Sequence, residues 1–535
     1  AAAPEAVRAP VPAVPAFRDA PAAAPAAIAE EAHAGDERTR EIERLTREIA
    51  AMRGERMDDK KRVHTMAMSL KNTKKVLCNL LVQAAKFMDS DERDRVSAAK
   101  SQLGWCKQAL PVKPVWDGGY EAECIARWKE RNEQDRALIQ RQRRQISKQE
   151  KARSANAGAL DAADVGAEDD EGDLWEAREI TNSRLAFVYR EEQLATAREA
   201  RLQVERALHL KRVQRLEAAE RSNFREYPLL YDERYQLLNM IGRGGFSEVY
   251  RAYDLCENRY CAVKIHELAK EMSDVQRQGY IRRAMREYDI QKSLKHPRVV
   301  TLMDCFPISN KAFGTVLELC EGETLDEHMK RYGALPEKEA RGIVIQILSG
   351  LKYLNSRTEK IIHYDLKPSN LFFHVGEIKI ADFGLSKVVQ DGAGTDSIDL
   401  TSQGAGTYWY LPPECFDPQQ PKISNKVDVW STGVIFFELL FNKRPIGHGM
   451  SQEALLRLNM GNMGATQPFS VDIPAAPKVS SDAKDFVRRL MTVSRDDRPD
   501  VLEAFNDQYL RTNARGRVPS GGGNGGGNGG GNGGG

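Results

Sequence analysis

His363-Tyr364-Asp365-Leu366-Lys367-Pro368-Ser369-Asn370 is followed closely in this chain by Asp382-Phe383-Gly384. The stretch between them, Leu371 to Ile380, is largely apolar and broken at Gly376, the pattern of a β-hairpin. Closing that hairpin brings Asn370 and Asp382 to one cleft beside Asp365. A carboxylate that receives a hydroxyl proton, with an amide oxygen and a second carboxylate that hold metal, is the set of groups phosphoryl transfer requires. A lone His-x-Asp triplet would be an ordinary solvated loop. The joint spacing gives it chemical meaning, and the upstream half of the chain supplies more.

Gly242-Arg243-Gly244-Gly245-Phe246-Ser247-Glu248-Val249 lies between two strand-like runs, Tyr235 to Ile241 and Val249 to Tyr253. Glycines let backbone N–H groups approach anionic oxygens closely, so the turn reads as a cradle for phosphates, although alone it fits an ordinary hairpin equally well. Ala262-Val263-Lys264 follows on the next strand, and Lys264 is placed to grip the α- and β-phosphates. Glu287, in a charged helical segment before Pro297, is the carboxylate expected to hold that lysine.

These motifs resemble the protein kinases, and the departures from the general pattern resemble one branch, the Tousled-like kinases. Tyr364 stands where His-Arg-Asp has its arginine, and Ser247 where a third glycine is usual. The runs from Asp399 through Thr407-Tyr408-Trp409-Tyr410-Leu411-Pro412-Pro413-Glu414 to Phe416, and from Pro421 to Ser431, are similar to that family almost throughout. The likeness is strong from about Leu229 to Leu510 and weak over the helices from Ile125 to Glu220.

The resemblance implies a Ser/Thr protein kinase with ATP and Mg2+ as cofactors. Asp365 is then the base, Lys367 a second cation for the phosphate, and Asn370 and Asp382 the metal ligands. Leu317 resembles the residue that gates the adenine pocket, and Glu318-Leu319-Cys320 the hinge beside it. Thr407 is expected near Lys367, Glu414 paired with Arg498, and Asp428 buried under the catalytic loop. The resemblance further implies a protein substrate of the histone-chaperone type, a nuclear location, and roles in chromatin assembly and the cell cycle. Without the arginine that usually binds an activation-loop phosphate, the segment holding Thr395, Ser397, Thr401 and Ser402 is expected not to be ordered through that contact.

Lys and Arg total 79 against 77 Asp and Glu, a net charge of +2 that gives no electrostatic case for broad nucleic-acid or membrane binding. The eight cysteines are scattered without a metal-type pair, which suits reduced thiols. No apolar run is long enough to span a bilayer, and the Ala/Pro-rich start lacks the layout of a signal peptide. Residues 1–35 and the Gly/Asn-rich 511–535 read as disordered, the latter as native low complexity or an added linker.

Between those ends the organisation reads as helical or coiled-coil over 36–110 and a second helical segment over 111–153 after a Pro/Gly break. An acidic linker at 154–173, a long helix at 174–224 and the kinase domain at 231–510 follow. In 174–224, Leu174, Val188, Ala195, Leu202 and Leu216 share a heptad register interrupted by Thr181 and His209, and the companion positions are poor. Three readings stand: a homo-oligomer through a coiled coil, a solitary amphipathic helix packed on the kinase domain, or an unpaired charged helix. The basic runs near Arg143 and Lys60 fit nuclear-localisation signals or solvated helix faces. The fold expected is α+β, a β-rich lobe and a helical lobe with ATP between them, preceded by the helical region. A catalytically idle scaffold is the alternative, against which all four of Lys264, Asp365, Asn370 and Asp382 argue.

Overall fold

The computed structural model describes residues 25–107, 115–156, 167–245, 247–268, 272–309, 311–390, 398–399, 407–416, 422–462 and 471–511. Residues 1–80 and 81–535 form two units. In the first, the described chain is the opening length of helix α1 (Pro25–Leu103). The helix starts inside the segment expected to be disordered. Pro25 is the last proline of that stretch and sits where a proline is tolerated, and the Ala- and Glu-rich run after it favours helix. Ile42, Leu45, Ile49, Met52, Val63, Met66 and Leu70 are all exposed along it, spaced alternately by three and four, with Arg56 and Asp59 in the same register. A stripe of that period is the pattern of a coiled-coil seam, and here it lies open along the helix.

The second unit holds the rest of α1, a short hairpin of β1 (Trp105–Lys107) and β2 (Val115–Asp117), and helices α2 (Tyr120–Asn156) and α3 (Ala167–Arg221). The segment 154–173 read as a linker is therefore helical at both described ends, and the acidic run after Ala167 suits a helix N-terminus. Helices α2 and α3 run antiparallel, joined by Lys129 to Glu199, Arg136 to Glu192 at 3.3 Å and Arg178 to Glu150 at 3.6 Å. The heptad register of α3 is buried at Thr181, Val188, Ala195, Leu202, His209 and Leu216, so the two apparent interruptions belong to the stripe. Buried Arg206 donates to the carbonyls of Leu103 at 2.8 Å and Gly118 at 3.0 Å. The seam on 174–224 thus lies against helices of its own chain.

Strands β3 (Leu229–Leu230), β4 (Tyr235–Arg243), β5 (Ser247–Asp254), β6 (Arg259–Glu267), β7 (Leu302–Ser309) and β8 (Ala312–Leu317) make an antiparallel sheet in the order β3-β4-β5-β6-β8-β7. Helix α4 (Asp274–Gln291) starts with a capping box between Ser273 and Gln276. One sheet face carries Leu237, Tyr250, Ala252, Val263, Ile265 and Val316, and packed against it are Ala218 and Ala219 at the end of α3 and Phe224 just after it. That face would be an apolar surface in water without such a cover.

The helical lobe follows, with α5 (Leu325–Tyr332), α6 (Glu337–Asn355), the short strands β9 (Glu359–Ile362), β10 (Leu371–His374), β11 (Glu377–Ile380) and β12 (Lys387–Gln390), and α7 (Lys426–Phe441). The two-lobed α+β fold expected from the sequence is the fold that forms. Nearly every residue of α7 is buried, because a helix apolar on all sides has no solvent face to offer. Near the C-terminal end of the lobe, fully buried Arg498 grips Glu414 with two hydrogen bonds of 2.7 and 3.0 Å and also reaches the carbonyl of Thr492 at 2.9 Å. Removing one partner of such a pair strands a buried charge. Arg498→Met is expected to destabilise the lobe by about 3–5 kcal/mol, read as a lower midpoint in urea unfolding.

Candidate active site

Asp428 opens α7 with no exposed surface, and its two carboxylate oxygens accept the backbone N–H groups of His363 at 2.7 Å and Tyr364 at 2.9 Å. Burial pushes this carboxyl above its ordinary range, and the hydrogen bonds oppose that rise. They also secure Tyr364 at φ 67°, a left-handed conformation that a bulky residue rarely adopts. The next residue, Asp365, is presented into the cleft. Its Oδ2 receives Lys367 Nζ at 2.6 Å, its Oδ1 receives the Thr407 hydroxyl at 3.1 Å, and the same lysine donates to Thr407 at 2.9 Å.

The β10–β11 hairpin closes through Val375 and Gly376, both at positive φ, and pairs Leu371 with Ile380. That register sets Ala381 N–H on the Asn370 carbonyl at 2.9 Å, so Asn370 and Asp382 are neighbours. Asn370 donates through Nδ2 to the Asp365 carbonyl at 2.9 Å and to Oδ2 at 3.2 Å, which leaves its amide oxygen as an acceptor.

From the other lobe, Lys264 Nζ lies 2.7 Å from Glu287 Oε1 on α4 and 3.9 Å from Asp382 Oδ1. Burial by itself would lower the Lys264 ammonium, but Glu287 and Asp382 hold it above its ordinary range. Asp382 responds in kind: burial opposes its charge, yet Lys264 and His363 keep the carboxyl below the usual range. A second tether of α4, not legible from motif spacing, is the Tyr280 hydroxyl against His266 Nδ1 at 2.7 Å. His266 stacks on Phe313 and is pushed down to about 3 by burial and by Lys264, so it stays neutral.

The glycine-rich turn joins β4 to β5 with Gly242 opposite Val249, and Gly244 N–H closes it on the Ser247 carbonyl at 2.7 Å. Val249 lies opposite Lys264 on β6, and Ala262 opposite Leu317, so all four share the cleft face of the sheet. Glu318, expected in the hinge, turns its carboxylate to Lys379 at 2.6 Å. Phe246, Thr395, Ser397, Thr401 and Ser402 lie outside the described residues.

Tyr364 is buried among Ile362, Val389, Leu411, Cys415 and Val427, and burial, with the Cys415 thiol beside it, pushes its phenol above the ordinary range. Lys387 Nζ stands 5.9 Å from its ring, and burial together with Arg286 pushes that ammonium below its ordinary range. An arginine at position 364 would add another cation beside Lys387. The tyrosine instead ties the catalytic loop to the segment around Leu411 and Cys415 by apolar packing.

Residues 235–510 match the protein kinase domain family. The chain is 42% identical over 443 residues to the serine/threonine-protein kinase TOUSLED of Arabidopsis thaliana, covering 82% of this chain and 63% of that protein. It is 41% identical over 474 residues to the human serine/threonine-protein kinase tousled-like 1, covering 83% and 61%. Against tousled-like 2 of Xenopus tropicalis the identity is 48% over 351 residues, covering 64% and 50%. The chain thus spans between half and two thirds of the length of these relatives. For the Tyr364 clip, Tyr364→Ala is expected to cost about 3–5 kcal/mol, whereas Tyr364→Phe, which keeps the packed ring, costs about 1 kcal/mol or less, both by urea unfolding.

Proposed function

Because this chain belongs to the protein kinase family, in its Tousled-like branch, we propose that it transfers the γ-phosphoryl group of ATP to serine or threonine hydroxyls of proteins. The observation that carries this reading is Lys264, which meets Glu287 and Asp382 from two other elements at one point of the cleft. An idle scaffold has no need to hold an ammonium there between two carboxylates.

Lys264 would bind the nucleotide's α- and β-phosphates, and the glycine-rich turn would cover them with backbone N–H groups. Asp365 orients the substrate hydroxyl and takes its proton as the oxygen–phosphorus bond forms and the bond to ADP breaks. Thr407 and Lys367 hold that carboxylate in place, and Lys367 adds positive charge beside the transferring group. Among the described residues no three His, Cys, Asp or Glu side chains are grouped so as to hold a metal ion. Magnesium asks for less, one or two carboxylates supplemented by water and phosphate oxygens, and the Asp382 carboxylate with the Asn370 amide oxygen suits it. Bound there, Mg2+ would neutralise charge on the β- and γ-phosphates. The family likeness extends the proposal to a histone-chaperone substrate and a nuclear site of action.

Homo-oligomerisation is part of the same reading, through the exposed seam of α1. A second copy is the occupant its pattern fits. Parallel pairing would set Arg56 against Arg56 and Asp59 against Asp59 at core positions, whereas antiparallel pairing sets Arg56 against Asp59 twice. Parallel pairing would gain the rim pairs Glu48 with Arg53 and Glu55 with Lys60, but exposed pairs contribute little beside like charges in a core. An antiparallel dimer follows.

Transfer of labelled γ-phosphate from Mg-ATP to a general acceptor and to a histone chaperone is expected for the parent protein and absent for Asp365→Asn; equal background counts from both would favour the scaffold. Light scattering at micromolar concentration is expected to give a dimer for the parent and a monomer for Ile49→Glu combined with Leu70→Glu. A monomeric parent would exclude the seam.

A further inference from the structure

Ser222 follows the last residue of α3 and precedes the kinase-domain match at 235, yet it reaches the strand that carries the glycine-rich turn. Its buried hydroxyl lies 2.7 Å from Glu248 Oε2 and 2.5 Å from the Tyr250 hydroxyl, while Tyr250 in turn donates to the same carboxylate oxygen at 2.8 Å. The Phe224 N–H donates to Ser222 Oγ at 3.0 Å, and the Phe224 ring meets Tyr250 edge-on. One residue on, Asn223 donates to Glu267 at the end of β6 at 2.9 Å.

Alternation along β5 decides what this contact does. Glu248 and Tyr250 point to the face that α3 covers, and Val249 between them points to the cleft, opposite Lys264. Glu248 also lies across the turn from Arg243, its partner in the β4–β5 register. A grip on Glu248 and Tyr250 from behind therefore fixes the height of Val249 and of the glycine-rich turn over the nucleotide. A buried polar network in which each hydroxyl has a partner is stiff, because any displacement leaves a group unsatisfied in a medium of low dielectric.

We propose that Ser222 is a positioning residue for the nucleotide: with Tyr250 it clamps Glu248 and so presets the glycine-rich turn, making the end of α3 a working part of the catalytic unit. This rests on the kinase reading above.

The test uses the full chain, its Ser222→Ala and Tyr250→Phe variants and the double variant, titrated with a non-hydrolysable ATP analogue and Mg2+ by calorimetry, with melting temperatures taken without nucleotide. Each single change is expected to weaken nucleotide binding about 2- to 10-fold, the equivalent of one hydrogen bond. The double variant is expected to be no weaker than the worse single one, because both hydroxyls serve one carboxylate. Tyr250→Phe keeps its ring in the core and reports even if Ser222→Ala folds poorly. A parent that binds while the variants bind equally well, whatever their melting temperatures, overturns the inference alone, and so do additive losses. A parent that binds no nucleotide overturns the kinase reading and the inference with it.

Discussion

The catalytic loop depends on one buried carboxylate. Asp428 sits at the start of a helix with no contact to water, where its charge is costly, and the cost is offset by the two backbone N–H groups that donate to it. Those bonds help hold Tyr364 in a backbone conformation that a free chain would abandon, and the strain is what turns Asp365 toward the cleft. The almost wholly buried α7 makes this possible, because a helix packed on all sides gives Asp428 a fixed position.

From that anchor the site is assembled by contacts between distant parts of the chain. Thr407 and Lys367 hold Asp365 from two sides, and Glu414 with Arg498 fastens the segment beyond Thr407 to the far end of the lobe. Lys264, Glu287 and Asp382 join the lobes electrostatically. The helical region is not a separate attachment to this machinery: the end of α3 covers the outer face of the β-sheet, and Asn239 and Glu92 bond to the Ala85 carbonyl and to Arg215 at 2.8 and 2.9 Å.

The residues of the cleft were legible as motifs because phosphoryl transfer needs fixed atom types at short separations, and a hairpin or a tight loop sets those separations locally. Glu287 could be placed only by distance from Lys264, since nothing in its own helix distinguishes it from neighbouring solvated carboxylates. Ser222, Tyr280 and Cys415 left no signal at all. Each is an ordinary residue whose partner lies on another element, and its role exists only once the sheet and helices have packed. The heptad on 174–224 shows the opposite failure. Its period was plain, but period alone does not say whether the partner comes from another copy or from the same chain, and Thr181 and His209 looked like breaks until the fold buried them, His209 beside Trp116 of β2.

The sequence by itself determined which groups could meet in the cleft, because glycine turns and the spacing of Asp365, Asn370 and Asp382 act over a few residues, and its resemblance to the protein kinases implied the two-lobed fold. Only the tertiary structure decided which faces of the long helices are covered and which stay open, and that the end of α3 reaches the glycine-rich strand. Burial is a property of surfaces that meet across the chain, and a linear pattern records that a surface is apolar without recording what it touches.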